Sequence, residues 1–444
     1  MVQRRERSGR SIPLEYMSGG GKSTWRDILR NTGDFAKPRK RLCDMRTAKE
    51  FVFWDDFIKF CQRLIQTPSL SGEEGEVAQL IKEEMKRLGY DDVWTDQAGN
   101  VIGLLKGDRD KPSICFTGHM DTVPLGVESG WEYPPYSGTI AEGYLHGRGT
   151  CDMKGPLATQ VYIPAITRGS NVKHGDIYVI QVIQEEQGGL GSKYLDESVK
   201  KRIDYAINGA PTSGMIHTGQ RGRAQLVATF KGKSAHSSSP WLGKNPFYDM
   251  ARFLLKLDSL EMVSYDNQKS TVVPTLCKTD TETSNIIPGE CRLILVWSDV
   301  PGESEAKIID KIRSVLPENG DVDIEKYDLK TYTGLTLPIK RRKLPFFINN
   351  NHPLVKVTVE AVRSILNKEV EIRWWDGATD CGFFMEAGIP IIGFSPAEME
   401  YAHTNKERIS LELMREAMRC YPAIIASISK LEKRRYLSDI GVDE

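Results

Sequence analysis

The amino-acid sequence predicts an α/β fold: a larger domain with a mostly parallel, doubly wound sheet carries an inserted α+β domain. Three observations predict this fold. Helix and strand patterns alternate over residues 47–220, as in a doubly wound sheet. Residues 176–184, DIYVIQVIQ, have the nearly continuous Val and Ile content of a strand buried on both faces. From about residue 221 the order becomes β-α-β-β-α-β, which is typical of a split βαβ sandwich with ferredoxin-like topology.

The predicted elements of the larger domain begin with a helix over residues 51–67, where apolar residues recur at helical spacing. Ser71 and Glu74 have the spacing of a capping box at the start of the next helix. That helix carries an apolar stripe, which comprises Val77, Leu80, Ile81, Met85 and Leu88. Two strands and a helix follow, at residues 100–107 (strand), 112–119 (strand) and 156–168 (helix).

The inserted domain is predicted over residues 221–335, between the two parts of the larger domain. From about residue 336 the chain returns to the larger domain, and helices are predicted near residues 352–367 and 408–431. The predicted division is a basic N-terminal arm (1–46), the first part of the larger domain (47–220), the insertion (221–335) and the second part of the larger domain (336–444).

The balance of charge argues against nucleic acid and membrane surfaces as partners, because 60 Lys and Arg residues match 60 Asp and Glu residues. A small-molecule substrate is therefore expected. The charge is uneven in residues 1–46, which carry 12 basic and 5 acidic side chains and few aliphatic ones. This composition predicts a mobile arm, or a strap onto a partner subunit, rather than a separate domain.

The lack of recognisable targeting signals and the pattern of cysteines predict a cytoplasmic protein. No apolar run reaches the roughly 18 residues of a membrane helix, and the N-terminus lacks the apolar core of a secretion signal. Eight cysteines are scattered without a CxxC pair. Such spacing is typical of reduced, buried thiols rather than of a disulfide framework or a thiolate zinc site.

Glu185 and Glu186 follow directly after the strand at residues 176–184. Adjacent acids after a strand are most often part of a solvated loop. This strand, however, has the pattern of a central parallel strand, and such strands deliver their carboxyl ends to the crevice where α/β proteins bind ligands. The pair is therefore a candidate for chemistry if other reactive side chains reach the same crevice.

Three further stretches place reactive side chains at strand ends and tight turns. His119 lies in FTGHMDTVP, where Asp121 is placed to hold its second ring nitrogen. Asp152 lies in the glycine-rich turn GRGTCDMKGP, and His403 lies in EYAHTNKERI. Each residue alone is more often structural than a ligand. Together with the glutamate pair they supply imidazole and carboxylate donors without thiolate, which suit a catalytic Zn, Mn or Co ion.

The order of these motifs resembles the metallopeptidase family that includes aminoacylase, acetylornithine deacetylase and succinyl-diaminopimelate desuccinylase. The resemblance spans about residues 50–435. It rests on seven ordered motifs, which are GHMDTVP, GRGTCDMKGP, QEEQGGLGS, GKSAHSS, SNIIPGE, GATDCGFF and AHTNKERI.

The resemblance implies a role for each matched residue. Glu185 would be the general base toward a metal-activated water. Asp121, from its place two residues after His119, is a further candidate catalytic residue. His236, in the inserted domain, would stabilise the developing oxyanion, often in the neighbouring subunit's site. The inserted domain pairs two subunits in relatives, so a homodimer or larger homo-oligomer is expected. The implied metal ligands are His119, Asp152, Glu186 and His403, with Asp152 bridging two ions in typical members.

One departure from the family pattern concerns the metal. The family carries a further acidic ligand in a Glu-Pro-Thr motif, but this chain reads INGAPTSG and has Ala210 at that position. Since a methyl group cannot bind a cation, we predict one divalent cation per subunit, held by Asp152, Glu186 and His403. The alternative is that Thr212 or a water replaces the ligand and that two cations bind.

The other departures concern the substrate. Ser298 stands where the family has a carboxylate-binding arginine, although Arg221 or Arg223 can supply that charge. Trp374 and Trp375 precede the loop of Thr379 and Asp380, and their indoles either stack a planar ring or pack beneath the loop. The predicted substrate-binding residues are Asn285, Arg223, Thr379 and Trp375.

These departures together favour a changed substrate. The chain resembles the nitroanthranilate aminohydrolase branch, which implies hydrolytic deamination of an electron-poor aromatic amine such as 5-nitroanthranilate. The first alternative is a conventional N-acyl-amino-acid amidohydrolase or aminoacyl peptidase. The second is an inactive binding module that keeps the fold.

Overall fold

The computed structural model of the protein describes residues 51–434, apart from residues 169 and 171. The predicted basic arm, residues 1–46, lies outside the described residues. Within them, no helix is both long enough and apolar enough to cross a membrane. The α-helices, in chain order, are α1 (Trp54–Gln66), α2 (Gly75–Leu88), α3 (Gly155–Val161), α4 (Ile163–Thr167), α5 (Leu190–Lys193), α6 (Glu197–Lys200), α7 (Pro246–Asp258), α8 (Glu305–Arg313), α9 (Pro353–Leu366), α10 (Cys381–Glu386) and α11 (Leu411–Ile428).

The strands form a large sheet of nine strands, an inserted sheet of five strands and several small sheets of two or three strands. The large sheet contains strands from both ends of the described chain, and the inserted sheet is built from residues between them. In chain order the strands are β1 (Asp92–Thr95), β2 (Val101–Leu105), β3 (Ile114–His119), β4 (Thr139–Ala141), β5 (Tyr144–His146), β6 (Ile177–Val182), β7 (Tyr205–Asn208), β8 (Ile216–Gln220), β9 (Arg223–Lys231), β10 (Ala235–His236), β11 (Ser264–Tyr265), β12 (Gln268–Lys269), β13 (Thr271–Thr279), β14 (Ile286–Ile287), β15 (Glu290–Ser298), β16 (Gly320–Ile324), β17 (Lys326–Lys330), β18 (Thr336–Lys340), β19 (Arg342–Lys343), β20 (Phe346–Phe347), β21 (Ile372–Trp375), β22 (Ile391–Phe394) and β23 (Arg408–Ser410).

The large sheet has the strand order β1-β2-β6-β3-β7-β22-β8-β20, and β21 also pairs with β8. Its four central strands, β6, β3, β7 and β22, are parallel, as the sequence predicts. The pairs that flank them along this order are antiparallel. Because β3 and β6 are parallel neighbours, their carboxyl ends at His119 and Val182 lie at the same edge of the sheet.

The central strands are buried on both faces, which explains their nearly unbroken apolar sequences. All six residues of β3 and all six residues of β6 are buried. Helix α1 buries Phe57, Phe60 and Leu64, which recur at the predicted helical spacing. The alternation of helix and strand in this part of the chain therefore builds the predicted α/β core.

The inserted sheet has the order β13-β15-β9-β16, and each neighbouring pair in it is antiparallel. The chain connects its principal elements as β9-α7-β13-β15-α8-β16, which is the predicted split βαβ arrangement. Buried residues alternate with more exposed ones along β9 and β15, because one face of the sheet covers a core. That core includes Leu226, Phe230, Phe253, Leu295 and Trp297.

Residues 325–347 connect the inserted sheet to the large sheet. β17 and β18 form an antiparallel hairpin, β19 then pairs with β9, and β20 pairs with β8 of the large sheet. The hairpin bonds two loops of the large sheet. Tyr332 Oη donates to the backbone oxygen of Gly99 at 2.7 Å, and Gln184 Nε2 donates to the backbone oxygen of Lys330 at 2.9 Å. The inserted part is thus attached beside the loop that follows β6.

The start of α2 differs from the predicted capping box. Glu74 is the N-cap residue, and its side chain makes no capping bond. Glu74 Oε1 instead accepts hydrogen bonds from the N–H groups of Gly72 and Gln184, both at 3.0 Å. Ser71 Oγ donates to Asp121 Oδ2 at 2.7 Å. The side chains of Ser71 and Glu74 therefore stabilise the loops that follow β3 and β6. Their polar atoms bond these loops rather than the first turn of the helix.

Gly393 provides a test of the packing in the large sheet, because β22 places it beside the Trp375 indole. A methyl group at Gly393 would overlap the six-membered ring of Trp375 and press on Cβ of His217. We expect Gly393→Ala to lower the free energy of unfolding by about 1–3 kcal/mol, because overpacking forces neighbouring side chains off their rotamers. Denaturant unfolding followed by circular dichroism measures this change.

The matched control is Gly377→Ala, where an added methyl group meets only Met399 Cε at 3.6 Å. The control variant should unfold at nearly the wild-type denaturant concentration. If Gly393→Ala unfolds at the same concentration as the control, Trp375 is not confined in the way the structure indicates.

Candidate metal centre

The four predicted metal ligands, which we call the ligand cluster, come from loops at the carboxyl edge of the large sheet. His119 is the last residue of β3, and Asp152 lies in the irregular turn that precedes α3. Glu186 lies in the loop after β6, and His403 lies between β22 and β23. His403 has a φ of 61°, a left-handed backbone conformation that is uncommon for a residue other than glycine. The fold thus gathers residues that are far apart in sequence.

The ligand cluster is compact. Asp152 lies between the two imidazoles: its Oδ1 is 3.0 Å from His119 Nε2, and its Oδ2 is 3.3 Å from His403 Nε2. His403 Nε2 is also 2.9 Å from Glu186 Oε1. One ligand atom from each of His119, Asp152 and Glu186 lies within 4.8 Å of the others. The side chains that we predicted to share one cation are therefore neighbours.

The donor atoms of the ligand cluster fit a divalent cation. His119 Nδ1 lies 2.9 Å from the backbone oxygen of Asp121, which accepts a proton held on Nδ1, so Nε2 is the ring nitrogen that would bind a cation. Two imidazole nitrogens with carboxylate oxygens, and no thiolate, are typical ligands of Zn, Mn or Co. Hydrogen bonds to Asp152 and Glu186 raise the pKa of His403 to about 10. These carboxylates therefore strongly favour positive charge beside them.

Asp121 orients the two adjacent glutamates. Its buried carboxylate accepts the N–H of Glu185 at 3.0 Å and the N–H of Glu186 at 3.1 Å. We predicted that this carboxylate would hold His119, and His119 Nδ1 lies 3.5 Å from its Oδ1 as well as 2.9 Å from the backbone oxygen of Asp121. The carboxylate oxygens also accept the hydroxyl of Ser71, in addition to the two N–H groups. Asp121 thus fixes the backbone from which both glutamate side chains project.

A buried ion pair that sequence analysis did not single out holds Asp152. Glu407 Oε1 accepts hydrogen bonds from the N–H groups of Cys151 and Asp152, both at 3.1 Å. The Arg148 guanidinium pairs with the other oxygen of Glu407, and both side chains are almost fully buried. Arg148 and Glu407 lie within two of the motifs quoted above, but no local pattern in either motif indicates that they meet.

A cavity of about 320 Å³, which we call the central cavity, opens beside the ligand cluster. Glu185 lines it, and burial raises the pKa of the Glu185 carboxyl to about 8, although Lys343 acts in the opposite direction. Glu185 Oε1 accepts a hydrogen bond from the ammonium of Lys343, which also donates to the backbone oxygen of Ala378 at 3.1 Å. Sequence analysis missed Lys343, because it lies in a run of basic residues without a motif.

Three of the four predicted substrate-binding residues line the central cavity: Arg223, Thr379 and Trp375. The N–H and the hydroxyl of Thr379 both donate to Gln220 Oε1, at 2.8 Å and 2.7 Å. Trp375 Nε1 donates to the backbone oxygen of Pro211 at 2.9 Å, which fixes the indole in the cavity wall. The Arg223 guanidinium makes no hydrogen bond or ion pair with the residues that the structure describes. It is therefore available to a ligand.

Asn285 and His236 lie outside the central cavity of their own chain. Both are exposed on the inserted part, and His236 Nδ1 accepts a hydrogen bond from the N–H of Ser238 at 3.2 Å. Trp374 also lies outside the cavity, because it stacks on Phe347 with 5.3 Å between ring centroids. Trp375 lines the cavity but is only 3% exposed and belongs to the buried core. For Trp375, the structure therefore favours the second alternative, packing beneath the loop of Thr379 and Asp380.

Ala210 lines the central cavity and also a small adjoining cavity of about 10 Å³, which is close to the volume needed for one water. Thr212 does not take the place of the missing acidic ligand. Its hydroxyl donates to the backbone oxygen of Ser395 at 2.9 Å and accepts the N–H of Ser395 at 2.8 Å. The cavity beside His119 therefore has fewer metal-ligand atoms than the family pattern implies.

Comparisons with known proteins agree with the motifs and the geometry. Residues 115–427 match the family described as Peptidase family M20/M25/M40, and this range includes the whole ligand cluster. The chain is also 30% identical over 365 residues to the Escherichia coli strain K12 protein YgeY. That match covers 80% of this chain and 89% of YgeY.

Solved structures share the fold. Aminopeptidase PepT from Bacillus cereus ATCC 10987 superposes with a TM-score of 0.68 and 22% identity over 85% of this chain and 99% of PepT. The M20 family metallo-carboxypeptidase Sso-CP2 from Sulfolobus solfataricus gives a TM-score of 0.70 and 18% identity over 85% of this chain and 100% of that protein. The family match covers well over half of the chain. The chain therefore belongs to peptidase family M20/M25/M40 and is a metal-dependent hydrolase that acts on C–N bonds.

Proposed function

We propose that the chain hydrolytically deaminates an electron-poor aromatic amine that carries a carboxylate, such as 5-nitroanthranilate. The observation that carries this proposal is the composition of the central cavity. The ligand cluster and Glu185 line this cavity together with the free Arg223 guanidinium, and the fixed Trp375 indole is part of its wall. An aromatic anion suits this cavity, because a guanidinium binds a carboxylate through two N–H groups and apolar residues such as Pro211 and Met399 line the wall.

The two departures from the family pattern support this substrate class. Ser298 ends β15 in the inserted sheet, so the carboxylate-binding arginine of relatives is missing there, and Arg223 on the neighbouring strand β9 supplies the charge. Ala210 removes an acidic ligand next to His119. Attack on a ring carbon does not need a second cation to hold an acyl oxygen. Both departures are therefore compatible with an aromatic amine.

Glu185 acts as the general base in the proposed reaction. It takes a proton from water as the oxygen adds to the ring carbon that bears the amine, and it delivers that proton to the leaving nitrogen. The electron-poor ring carries the negative charge between these steps, and ammonia departs. A divalent cation held by the ligand cluster would supply Lewis acidity toward the attacking water. Thr379 and Trp375 are held by hydrogen bonds and keep the cavity wall rigid.

A second candidate function is the removal of an acyl group from an amino acid or the release of a residue from a peptide. Family membership favours it, and PepT and Sso-CP2 are named as an aminopeptidase and a metallo-carboxypeptidase. In that case Arg223 would bind the substrate's α-carboxylate. An inactive binding module is not favoured, because Glu185 and the complete ligand cluster are retained.

A substrate panel separates the two candidate functions. Metal-loaded protein is incubated with 5-nitroanthranilate, N-acyl amino acids and dipeptides, and released ammonia and new amino groups are quantified. We expect ammonia from 5-nitroanthranilate. The kcat/KM for the acyl compounds should be at least about 100-fold lower, because the cavity discriminates by the shape of the substrate and the position of its carboxylate. Glu185→Gln is the control for each compound, since glutamine keeps the shape but not the basicity. Turnover of the acyl compounds alone would reject the aromatic substrate.

We also propose that each chain binds one cation tightly. Asp152, Glu186 and His403 provide two carboxylates and an imidazole on one side of the ligand cluster. On the other side, Asp152 is the partner of His119, but position 210 provides no acidic side chain. His119 either joins the single cation or remains hydrogen-bonded to Asp152.

Ala210→Glu tests the single-cation proposal by restoring the missing carboxylate. Plasma mass spectrometry after dialysis should give about one ion per wild-type chain and about two ions per Ala210→Glu chain, since carboxylates are strong ligands for these ions. Ala210→Gln adds nearly the same bulk without the charge and should still bind one. Two ions in the wild-type chain would contradict the proposal.

We further propose that the inserted part, residues 221–335, pairs two copies of the chain. In the described part of the chain, edge strand β13 pairs only with β15 and exposes Val273 and Leu276. Helix α7 exposes Tyr248 and Leu255, which are 66% and 78% accessible. Open strand edges and exposed apolar side chains are typical of interfaces. Pairing would also give His236 a place in the partner's cavity, where it would stabilise developing negative charge.

Mixing two inactive variants tests whether His236 acts across subunits. Glu185→Gln removes the base and His236→Ala removes the imidazole, so each homodimer should be strongly impaired. If each site combines Glu185 of one chain with His236 of the other, randomly assembled dimers should recover about a quarter of the wild-type activity. Activity is measured after co-refolding equal amounts of the two variants. A mixture no more active than its parents would exclude this arrangement.

A further inference from the structure

Residues 340–343 form a run of four basic side chains, Lys-Arg-Arg-Lys, in the connection between the two sheets. Such a run in a sequence is typical of a solvated face or an anion-binding patch. In the structure, each of the four cations pairs instead with a different carboxylate. The pairs are Lys340 with Glu305, Arg341 with Glu325, Arg342 with Asp299, and Lys343 with Glu185.

Lys343 differs from the other three cations because its partner belongs to the large sheet. The other three acids lie in the inserted part, whereas Glu185 follows β6. The side chains of Lys343 and Glu185 are 13% and 10% exposed, compared with 39% and 32% for Lys340 and Glu305. The Lys343 pair is therefore shielded from water, and the Lys340 pair is a surface contact.

The ammonium of Lys343 fixes one oxygen of the Glu185 carboxylate. Its Nζ donates to Glu185 Oε1 and to the backbone oxygen of Ala378, which holds the ammonium in the wall of the central cavity. Among the described residues, Glu185 Oε2 has no hydrogen-bond donor. One oxygen is thus anchored, and the other remains available within the cavity.

We propose that Lys343 is a positioning residue for the general base. It holds the Glu185 carboxylate in the orientation from which Oε2 takes a proton from water. This inference rests on the proposed function, in which Glu185 is the base. Without the ammonium, Glu185 Oε1 would lose the hydrogen bond from Lys343, and the carboxylate would be free to rotate away from this orientation. Proton transfer slows sharply when a base moves out of hydrogen-bonding reach.

Strand register links Lys343 to substrate recognition. β19 and β9 place Lys343 directly opposite Arg223, and directly opposite residues of an antiparallel pair lie on the same face. Both side chains line the central cavity. The ammonium that holds the base is therefore next to the guanidinium proposed to hold the substrate carboxylate. A movement of these two strands would shift both groups together.

Substitution of Lys343 should lower kcat without a matching loss of substrate binding. On the panel compound that turns over fastest, we expect Lys343→Ala to lower kcat by about 10- to 100-fold and to change KM by less than about threefold. Lys343→Arg keeps a cation and should recover much of the loss. Added ethylammonium should raise the kcat of Lys343→Ala in a saturable manner, which a purely structural role would not produce.

Lys340→Ala is the matched control, because it removes a lysine of the same basic run from an ion pair on the surface. The kcat of this variant should stay within about twofold of wild type. Bound metal and circular dichroism should be unchanged in all variants, since no ligand is altered. An unchanged kcat in Lys343→Ala, or loss of bound metal from that variant, would overturn the positioning role. Lys343→Met replaces the alanine variant if the latter is unfolded.

Glu185→Gln, measured in parallel, separates a failure of this inference from a failure of the proposed function. If Glu185→Gln keeps wild-type turnover, Glu185 is not the base, and the role of Lys343 is rejected with it. If Glu185→Gln is inactive while Lys343→Ala is fully active, the base stands and only the positioning role is wrong.

Discussion

The constraint on which the site depends is the burial of several carboxylates in and behind one wall of the central cavity. An ionised carboxylate without partners is very unfavourable in such surroundings. The structure offsets this with a different donor for each acid: two N–H groups for Asp121, two imidazoles for Asp152 and an ammonium for Glu185. These hydrogen bonds also determine where each carboxylate points. Charge compensation and catalytic geometry are therefore produced by the same contacts.

The large sheet provides only part of this compensation. The parallel pairing of β3 and β6 brings His119 next to the loop of Glu185 and Glu186, because both strands end at the same edge. Other partners come from distant segments, such as Glu407 beneath Asp152 and Lys343 beside Glu185. The site thus forms only when the second part of the chain and the inserted sheet are both in place. Its assembly requires the tertiary fold and not the sheet alone.

Much of the fold and of the ligand cluster could be predicted because their signals are local. The apolar run of β6, the spacing in α1 and the glycine-rich turn before Asp152 each identify an element within a few residues. The remaining contacts could not be predicted, because a pairing across the fold leaves no pattern in either segment. Lys343 is locally one of four basic residues, and Ser71 has the spacing of a helix cap. His236 and Asn285 lie outside the cavity of this chain. Only the order of the motifs had placed these two residues in the site.

The same balance of charge connects Ala210 with Lys343. A carboxylate at position 210 would add a negative charge next to His119 and Glu185, and a second cation would be needed to compensate it. With alanine there, that charge is absent, and the positive charge beside Glu185 is the ammonium of Lys343. A covalently held ammonium does not exchange with solvent, and the strand that carries it pairs with the strand of Arg223. The proposed single cation and the proposed role of Lys343 therefore support each other: the chain lacks one metal ligand and supplies a fixed positive charge beside its base.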